Sequence, residues 1–307
     1  MEASKKVRRK VLSIVLSAVL GCVLGIGLVT AVTLNSKNET ERTIPVQAMV
    51  NNSNTELKDD SSSENETNPS ESDSNQDSNI DNSSVIDGSQ IGSYELSGEK
   101  VVYLTFDDGP SKLTPKILEI LDKYNVKATF FVTGFDTDNA KYIKIAHDKG
   151  HTIGLHTYTH DYAKVYASPE AYYDDLNKVG ELCKEQIGYV PHYIRFPGGS
   201  SNTISKKYYD GIMTLLSKDV LKKGYQYYDW NCANGDAVGG VISADELYKN
   251  AISAVGQTDL VMLCHDAGDK QTTVDSLPKI IEYYQSHGYS FKAIDDKSYV
   301  AHHSVNN

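Results

Sequence analysis

Residues 100–110 of this 307-residue chain read KVVYLTFDDGP, a run of β-branched and aromatic residues that ends in two aspartates, glycine and proline. The run predicts a buried strand from Lys100 to Phe106, and the Asp-Asp-Gly-Pro sequence after it is typical of a turn. A helix is predicted next, from Pro115 to Tyr124, with proline in its first turn. The chain therefore starts a strand–turn–helix unit at this point.

The same unit recurs through the rest of the chain. Further strands are predicted at 126–133, 151–155, 193–196, 225–230, 259–264 and 289–293. Further helices are predicted at 140–149, 169–186, 204–223 with an interruption near Gly211, 244–255 and 274–285. Alternation of this kind indicates a parallel sheet covered by helices. The pattern alone leaves open both a barrel and an open doubly wound sheet.

The N-terminal third has a different composition. Residues 1–10 form a basic tip, and residues 11–34 contain no charged residue. Twenty-four helical residues cover roughly 36 Å, enough to cross a bilayer core. Since positive charge stays on the cytoplasmic side, we expect an uncleaved single-pass membrane anchor with the rest of the chain outside the cell. A cleaved signal peptide is the alternative, although its apolar region is normally shorter.

Residues 35–92 are dominated by Asn, Ser, Asp and Glu. Such a segment cannot bury enough apolar surface to offset the entropy of ordering it, so we expect a disordered spacer. As a flexible coil it would average about 40–45 Å from end to end. Residues 93–307 are then the predicted globular domain.

Charge and cysteine content exclude several classes of protein. The formal net charge is −11, and the first ten residues contribute five positive charges and one negative charge, so the remainder carries −15. A strongly acidic exterior argues against a nucleic-acid partner. The globular part has only Cys183, Cys232 and Cys264 and no CxxC pair, which argues against a disulfide framework and a thiolate zinc site. Cys232 and Cys264 each follow a predicted strand, and either a disulfide or two small buried thiols fits that placement.

Polar residues cluster directly after the predicted strands. The clusters are Asp107–Asp108, His156–His160, Arg195–Gly199, Asp229–Asn231 and His265–Asp266. In parallel α/β folds the carboxyl ends of the strands converge on one face. We therefore expect five clusters that are distant in sequence to meet in one cleft.

Two of these clusters have the composition of a metal site. His156 and His160 are four residues apart and can point the same way on a turn or helix. Thr157 stands where the zincin HExxH motif has glutamate, so a carboxylate must come from elsewhere, and the Asp107–Asp108 pair is the obvious source. Taken singly, the aspartate pair is more typical of a solvated turn than of a ligand, and each histidine is more typical of a surface or capping residue. Two histidines with one carboxylate suit zinc hydrolysis and non-haem iron oxygenation, and the βα pattern favours the first.

Five segments, taken together and in order, resemble the five motifs of the NodB-type polysaccharide deacetylases, carbohydrate esterase family four. The segments are Thr105–Gly109, His156–His160, Arg195–Gly199, Asp229–Trp230 and Leu263–His265. The resemblance covers residues 99–294 and implies a distorted (β/α)7 barrel.

The resemblance also implies a role for each motif residue. The catalytic group is Asp107 as general base, His265 as general acid, Arg195 positioning Asp107, and Asp229 tuning His265. The implied ligands of a divalent metal, usually Zn²⁺ and in some members Co²⁺, Ni²⁺ or Mn²⁺, are Asp108, His156 and His160. The implied substrate-binding residues are Pro197, Gly198, Trp230 and Leu263.

The chain departs from the family at one motif position. Many members have tyrosine where this chain has Gly198. The family uses the backbone N–H at that position as an oxyanion donor, and glycine keeps that N–H. The missing ring leaves substrate stacking open. Among the 21 tyrosines of the chain, Tyr158 inside the histidine motif is the best placed to contact a sugar.

The sequence therefore predicts a membrane-anchored, metal-dependent deacetylase that removes N-acetyl groups from an extracellular polysaccharide. The anchor and the spacer favour N-acetylglucosamine of peptidoglycan as the substrate. Exopolysaccharide, chitin-like oligomers, N-acetylmuramic acid and O-acetyl esters remain alternatives within the enzyme class. A catalytically inactive sugar-binding module of the cell wall is the alternative from another class.

Overall fold

The computed structural model describes residues 91–307. The predicted basic tip, membrane anchor and all but the last two residues of the predicted spacer lie outside these residues. Within residues 91–307, no helix is both long and apolar enough to cross a membrane. Ile91, which the sequence division assigns to the spacer, packs partly buried against the domain.

A curled parallel sheet forms the centre of the described domain. Its strands are β1 (Val101–Asp107), β2 (Ala128–Thr133), β3 (Thr152–Thr157), β4 (Tyr193–Ile194), β5 (Gln226–Tyr227), β6 (Cys232–Ala233), β7 (Leu260–His265) and β8 (Ser290–Phe291). The strand order is β5-β4-β3-β2-β1-β7-β6, and β8 pairs with the start of β1. All of these pairings are parallel, as the βα alternation predicts.

Helices follow most of the strands. They are α1 (Thr114–Lys123), α2 (Lys141–Asp148), α3 (Tyr162–Val165), α4 (Pro169–Ile187), α5 (Ile212–Lys222), α6 (Ala244–Ile252) and α7 (Gln271–Ser286), with 3₁₀ turns at Thr137–Asn139 and Ser205–Lys207. The predicted interruption near Gly211 is present, because Gly211 has a left-handed backbone and precedes α5.

Alternation along the strands separates two apolar clusters. On β1, Val102, Leu104 and Phe106 belong to the large cluster that packs under the helices. Val101 and Tyr103 belong to a smaller cluster on the other face of the sheet. Because side chains alternate, Thr105 and Asp107 lie on the face of Tyr103. The architecture is thus a curled half-barrel with helices outside, consistent with a (β/α) barrel.

The edge strands of the sheet are β5 and β6. The C-terminal segment runs past the end of β5, where the Asp229 N–H donates to Ala301 O. In the same segment, the Val300 N–H donates to Ser93 O. Sequence periodicity did not predict β6 or α3, since elements of two and four residues are too short to show a period.

The three cysteines of the domain are free thiols. Cys232 donates a weak hydrogen bond to Val261 O, and Cys264 is fully buried. Of the two alternatives for Cys232 and Cys264, the structure therefore has separate small thiols and no disulfide.

Candidate active site

Asp107 ends β1 and is almost fully buried. The Arg195 guanidinium donates from Nη1 to Asp107 Oδ1 at 2.8 Å and to the Thr105 hydroxyl at 2.7 Å. This ion pair holds one oxygen of the carboxylate and leaves Oδ2, which lies 3.8 Å from His156 Nε2. Asp107 is therefore oriented by Arg195 with one oxygen turned toward the histidines.

Arg195 is the largest fully buried side chain of the described domain. Its Nε donates to Tyr228 O and its Nη2 donates to Asp229 O, both at 2.9 Å. The guanidinium also lies 4.3 Å from the centre of the Phe131 ring. A buried cation is tolerated when its donors are paired and a counter-charge is close, and all of these conditions hold here. The contact needed for Arg195 to position Asp107 is therefore present, and the guanidinium is held on several sides.

Next to the ion pair of Asp107 and Arg195, three residues form a cluster, namely Asp108, His156 and His160. Asp108 Oδ1 lies 3.6 Å from His156 Nε2 and 3.4 Å from His160 Nε2. One ligand atom from each residue can be chosen so that all three lie within 4.8 Å of one another. The three residues assigned as metal ligands from the motif resemblance thus form one cluster, in which His160 is partly exposed to solvent.

The hydrogen bonding of His156 prepares it as a ligand. Its Nδ1 lies 2.7 Å from Arg195 O, so Nδ1 carries the proton and donates to that carbonyl. Burial, followed by the proximity of His160, lowers the pKa of His156 to about 3. A neutral ring with Nδ1 protonated leaves the Nε2 lone pair free toward Asp108, which is the state a metal requires.

The cluster fits a cation better than it fits a set of protein hydrogen bonds. Asp108 Oδ1 is buried and has no hydrogen-bond partner within residues 91–307. Asp108 and His160 both have positive φ angles, 72° and 50°, a region that few non-glycine residues adopt. Two imidazole nitrogens and a carboxylate oxygen are also the ligand types that zinc and similar divalent metals prefer. The residues present therefore fit a divalent metal.

His265 ends β7, next to β1, and its register partner is Asp107. Its Nδ1 lies 2.7 Å from Asp236 Oδ1, and its backbone N–H donates to Asp236 Oδ2. Burial alone would lower the pKa of His265, but the hydrogen bond and charge of Asp236 outweigh it and raise the pKa to about 9. At neutral pH His265 is therefore a cation with Nε2–H turned away from Asp236, as a general acid requires.

Asp236 is itself fixed on several sides. The Thr273 hydroxyl donates to its Oδ2, and so does the Asn234 amide. Burial tends to raise the pKa of Asp236, but the hydrogen bond and charge of His265 outweigh burial and hold the pKa below its usual value. Asp236 is thus an ionised carboxylate that orients His265 and stabilises its protonated form.

The prediction that Asp229 tunes His265 is wrong. The Asp229 carboxylate is fully buried elsewhere, where it accepts from the Ser200 N–H, the Ser200 hydroxyl and the His303 N–H. It therefore secures the Arg195 loop and the C-terminal segment. The reason lies in β6, which continues the chain beyond β5 and pairs with β7, so that Asp236 reaches His265. A carboxylate after this two-residue strand gave no periodic signal.

The loop after β4 presents a free backbone donor. The Tyr166 hydroxyl donates to Pro197 O at 2.8 Å, which fixes the orientation of the peptide between Pro197 and Gly198. Among the hydrogen bonds formed within residues 91–307, none uses the Gly198 N–H. Gly198 is exposed and has a φ of 77°. Its N–H is therefore available to a ligand, as the motif resemblance implies.

Trp230 and Leu263, the other residues assigned to substrate binding, line the inner face of the sheet. The Arg195 guanidinium lies 5.8 Å from the Trp230 ring centre, and a side chain at Gly199 would press on that ring. Leu263 is buried and pairs in register with Thr105. Their substrate contacts remain a prediction.

Tyr162, and not the predicted Tyr158, has its ring against a residue of the metal cluster. The Tyr158 ring packs against Gly134 so closely that a Cβ on that glycine would overlap it, and the ring also packs on the large apolar cluster. Tyr162, at the start of α3, instead has its ring against His160, with centroids 5.8 Å apart. Burial, and then the carboxylates of Asp108 and Asp107, raise the pKa of Tyr162 to about 12. Tyr162 is a site residue that the sequence reasoning missed.

A cleft of about 510 Å³ adjoins the cluster of Asp108 and His160. This volume lies in the range of small-molecule sites. Phe135 lines the cleft and is 82% exposed, so a flat apolar ring stands at the rim of the site. The site is thus an open groove of the kind that can admit part of a longer chain.

Comparison with known proteins agrees with this geometry. Residues 95–211 match the family model Polysaccharide deacetylase. A peptidoglycan-N-acetylglucosamine deacetylase of Bacillus cereus is 34% identical over 208 residues, which cover 64% of this chain and 69% of the relative. A second deacetylase of that description, also from Bacillus cereus, is 30% identical over 205 residues, covering 65% of this chain and 71% of the relative.

A solved structure is also similar. The catalytic domain of the peptidoglycan N-acetylglucosamine deacetylase from Eubacterium rectale has 45% sequence identity and a TM-score of 0.67. The match covers 69% of this chain and 96% of that domain. With the shared motifs and the βα architecture, these matches show that the chain belongs to the polysaccharide deacetylase family, the NodB-type deacetylases of carbohydrate esterase family four.

Proposed function

We propose that this protein is a metal-dependent deacetylase that hydrolyses the N-acetyl group of N-acetylglucosamine in peptidoglycan. The observation that carries the proposal is the joint placement of a base, a protonated acid and a three-residue metal cluster at the carboxyl ends of neighbouring strands. Asp107, His265 and the cluster of Asp108, His156 and His160 supply these parts. The substrate is inferred from relatives whose names state that they act on peptidoglycan N-acetylglucosamine.

Asp108, His156 and His160 would hold the divalent metal, for which Zn²⁺ is our first expectation and Co²⁺, Ni²⁺ or Mn²⁺ are alternatives. When bound there, such a metal supplies Lewis-acid polarisation of the acetamide carbonyl and of a water molecule. The chain's own residues supply the proton transfers and the placement of the substrate.

Each proton transfer has a residue in place. The free Oδ2 of Asp107 takes a proton as water attacks the carbonyl carbon, while Arg195 keeps the carboxylate in position. The Gly198 N–H donates to the oxygen on which negative charge develops. His265 Nε2 then gives its proton to the amine nitrogen as the carbon–nitrogen bond breaks. The products are acetate and a free amino sugar.

The proposal predicts chelator-sensitive acetate release. The full-length chain in mild detergent should release acetate from N-acetylglucosamine oligomers and from peptidoglycan, and a chelator should abolish the release. Added zinc or cobalt should restore it, because the three ligands form a complete cluster before metal binds. Acetate is measured enzymatically, with the chain carrying Asp107→Asn as a blank.

The other outcomes identify the alternatives. Release from oligomers but not from peptidoglycan would favour a chitin-like or exopolysaccharide substrate. Release only from O-acetylated sugars would show an esterase. Sugar binding without any release from metal-loaded protein would contradict the deacetylase proposal and favour a sugar-binding module.

We further propose that residues 11–34 anchor the protein in the membrane with the domain outside the cell. The support is the uncharged run of 24 residues behind a basic tip. Protease added to intact cells expressing the chain should digest the domain, and the membrane fraction should retain the protein. A protease-resistant domain in the soluble fraction of the same cells would contradict the anchor, with a cytoplasmic enzyme as the control for cell integrity.

A further inference from the structure

The hydroxyl of Tyr162 stands where a side chain on residue 198 would project. A Cβ built on Gly198 would overlap the Tyr162 hydroxyl oxygen and would lie 3.4 Å from its Cζ. The φ of 77° at Gly198 also disfavours any residue with a Cβ. Tyr162 and Gly198 are therefore complementary, since the ring from one loop fills the space that glycine leaves on the other.

The orientation of the Tyr162 ring is fixed by its neighbours. The Asp161 side chain accepts from the Ala163 N–H at 3.0 Å and so caps α3, which begins at Tyr162. The ring lies edge-on to His160 and to Tyr166, with centroids 5.8 Å and 5.4 Å away. Since Tyr166 also holds Pro197 O, one aromatic contact joins the cluster at His160 to the loop at Gly198.

Two polar groups at this position lack protein partners. The Tyr162 hydroxyl makes no hydrogen bond within the described part of the chain, and neither does the Gly198 N–H beside it. Tyr162 is half-buried beside His160, so part of its amphipathic side chain remains accessible to a ligand. A tyrosine hydroxyl both donates and accepts, which suits the hydroxyl and acetamide groups of a sugar.

We propose that Tyr162 is a substrate-positioning residue whose hydroxyl and ring bind the N-acetylated sugar beside the Gly198 N–H. The inference rests on the proposed function, because it assigns a contact to the same site and the same substrate. It places the aromatic contact with the sugar on α3 and not on the loop of Arg195. Preference among N-acetylated sugars should therefore depend on residue 162.

Binding of the N-acetylglucosamine tetramer tests this without turnover. We would measure the Kd of the zinc-loaded full-length chain by calorimetry in the Asp107→Asn background. Adding Tyr162→Phe should weaken binding about three- to tenfold, the effect of one lost hydrogen bond to a neutral group. Adding Tyr162→Ala should weaken it about 10- to 100-fold, because the ring contact is lost as well. Tyr208→Phe, at a tyrosine that is 44% exposed, is the matched control and should leave the Kd unchanged.

Steady-state kinetics with Asp107 intact separate positioning from chemistry. Tyr162→Phe should raise KM by the factor found for Kd while kcat stays within about twofold, as expected when binding is lost equally in ground and transition states. Zinc content should equal that of the unmodified chain.

Three results would overturn the inference. They are equal Kd values for the Tyr162→Phe and Tyr208→Phe chains, loss of zinc from the Tyr162→Phe chain, and absence of saturable tetramer binding in the Asp107→Asn background. If Tyr162→Ala does not fold, the phenylalanine variant decides alone. A chain with intact Asp107 that binds the tetramer but releases no acetate would count against the proposed function, and the ratio of Kd values would still test Tyr162.

Discussion

Replacing Asp107 by asparagine is expected to lower kcat by about 10²–10⁴-fold, the usual contribution of a general base. Asparagine keeps the shape of the side chain and can still accept from Arg195 Nη1, which now donates at 2.8 Å. It cannot take a proton from water. Because Asp107 is not in the cluster of Asp108, His156 and His160, bound zinc should remain near one ion per chain.

The measurement pairs acetate release with zinc content and thermal unfolding. Asp107→Asn removes the counter-charge of the buried Arg195, so some loss of stability is expected and must be measured separately from the loss of rate. Asp210→Asn is a matched control, since the Asp210 side chain is 80% exposed. Asp108→Asn should instead lose the metal. Loss of zinc from the Asp107→Asn chain would show that the roles of the two aspartates are assigned incorrectly.

Replacing Asp236 by asparagine is expected to shift the alkaline limb of the kcat profile to lower pH. With a pKa of about 9, His265 is protonated at neutral pH, and activity that needs this proton falls as the pH rises through 9. Without the hydrogen bond and charge of Asp236, burial is opposed only by the charges of Asp107 and Asp108, and the pKa of His265 should fall. A fall to the ordinary histidine value of about 6.5 would lower the protonated fraction at pH 8 from about 0.9 to about 0.03, so the loss of rate should reach about 30-fold at most.

The matched control for this prediction is Asp229→Asn. Asp229 is also a buried aspartate near the site, but its carboxylate contacts Ser200 and His303 and not His265. That variant should lose stability while the alkaline limb stays where it is. The measurement is kcat against pH from 6 to 10, with thermal unfolding of both variants. A limb that moves in the Asp229 variant and not in the Asp236 variant would restore the sequence assignment.

The amino-acid sequence by itself determined the repeating strand–helix units and the meeting of His156 and His160 with the Asp107–Asp108 pair, and the motif resemblance chose Asp108 as the third ligand. Local patterns carry both. Periodicity distinguishes a buried strand from an amphipathic helix, and the carboxyl ends of parallel strands must converge on one face. Asp107 and His265 were placed at the same face because each follows a predicted strand, and the motif resemblance supplied their roles as base and acid.

Only the tertiary structure decided which residues support that cluster. Asp236 reaches His265 because β6 pairs with β7. A strand of two residues is too short for this pairing to be predicted from the sequence. Tyr162 fills the space at Gly198 because two loops 36 residues apart pack together. The C-terminal segment binds Asp229 through His303 in the same non-local way. Local sequence patterns specify strands and helices, whereas these contacts depend on the order of strands in the sheet and on packing between loops, which no short-range spacing encodes.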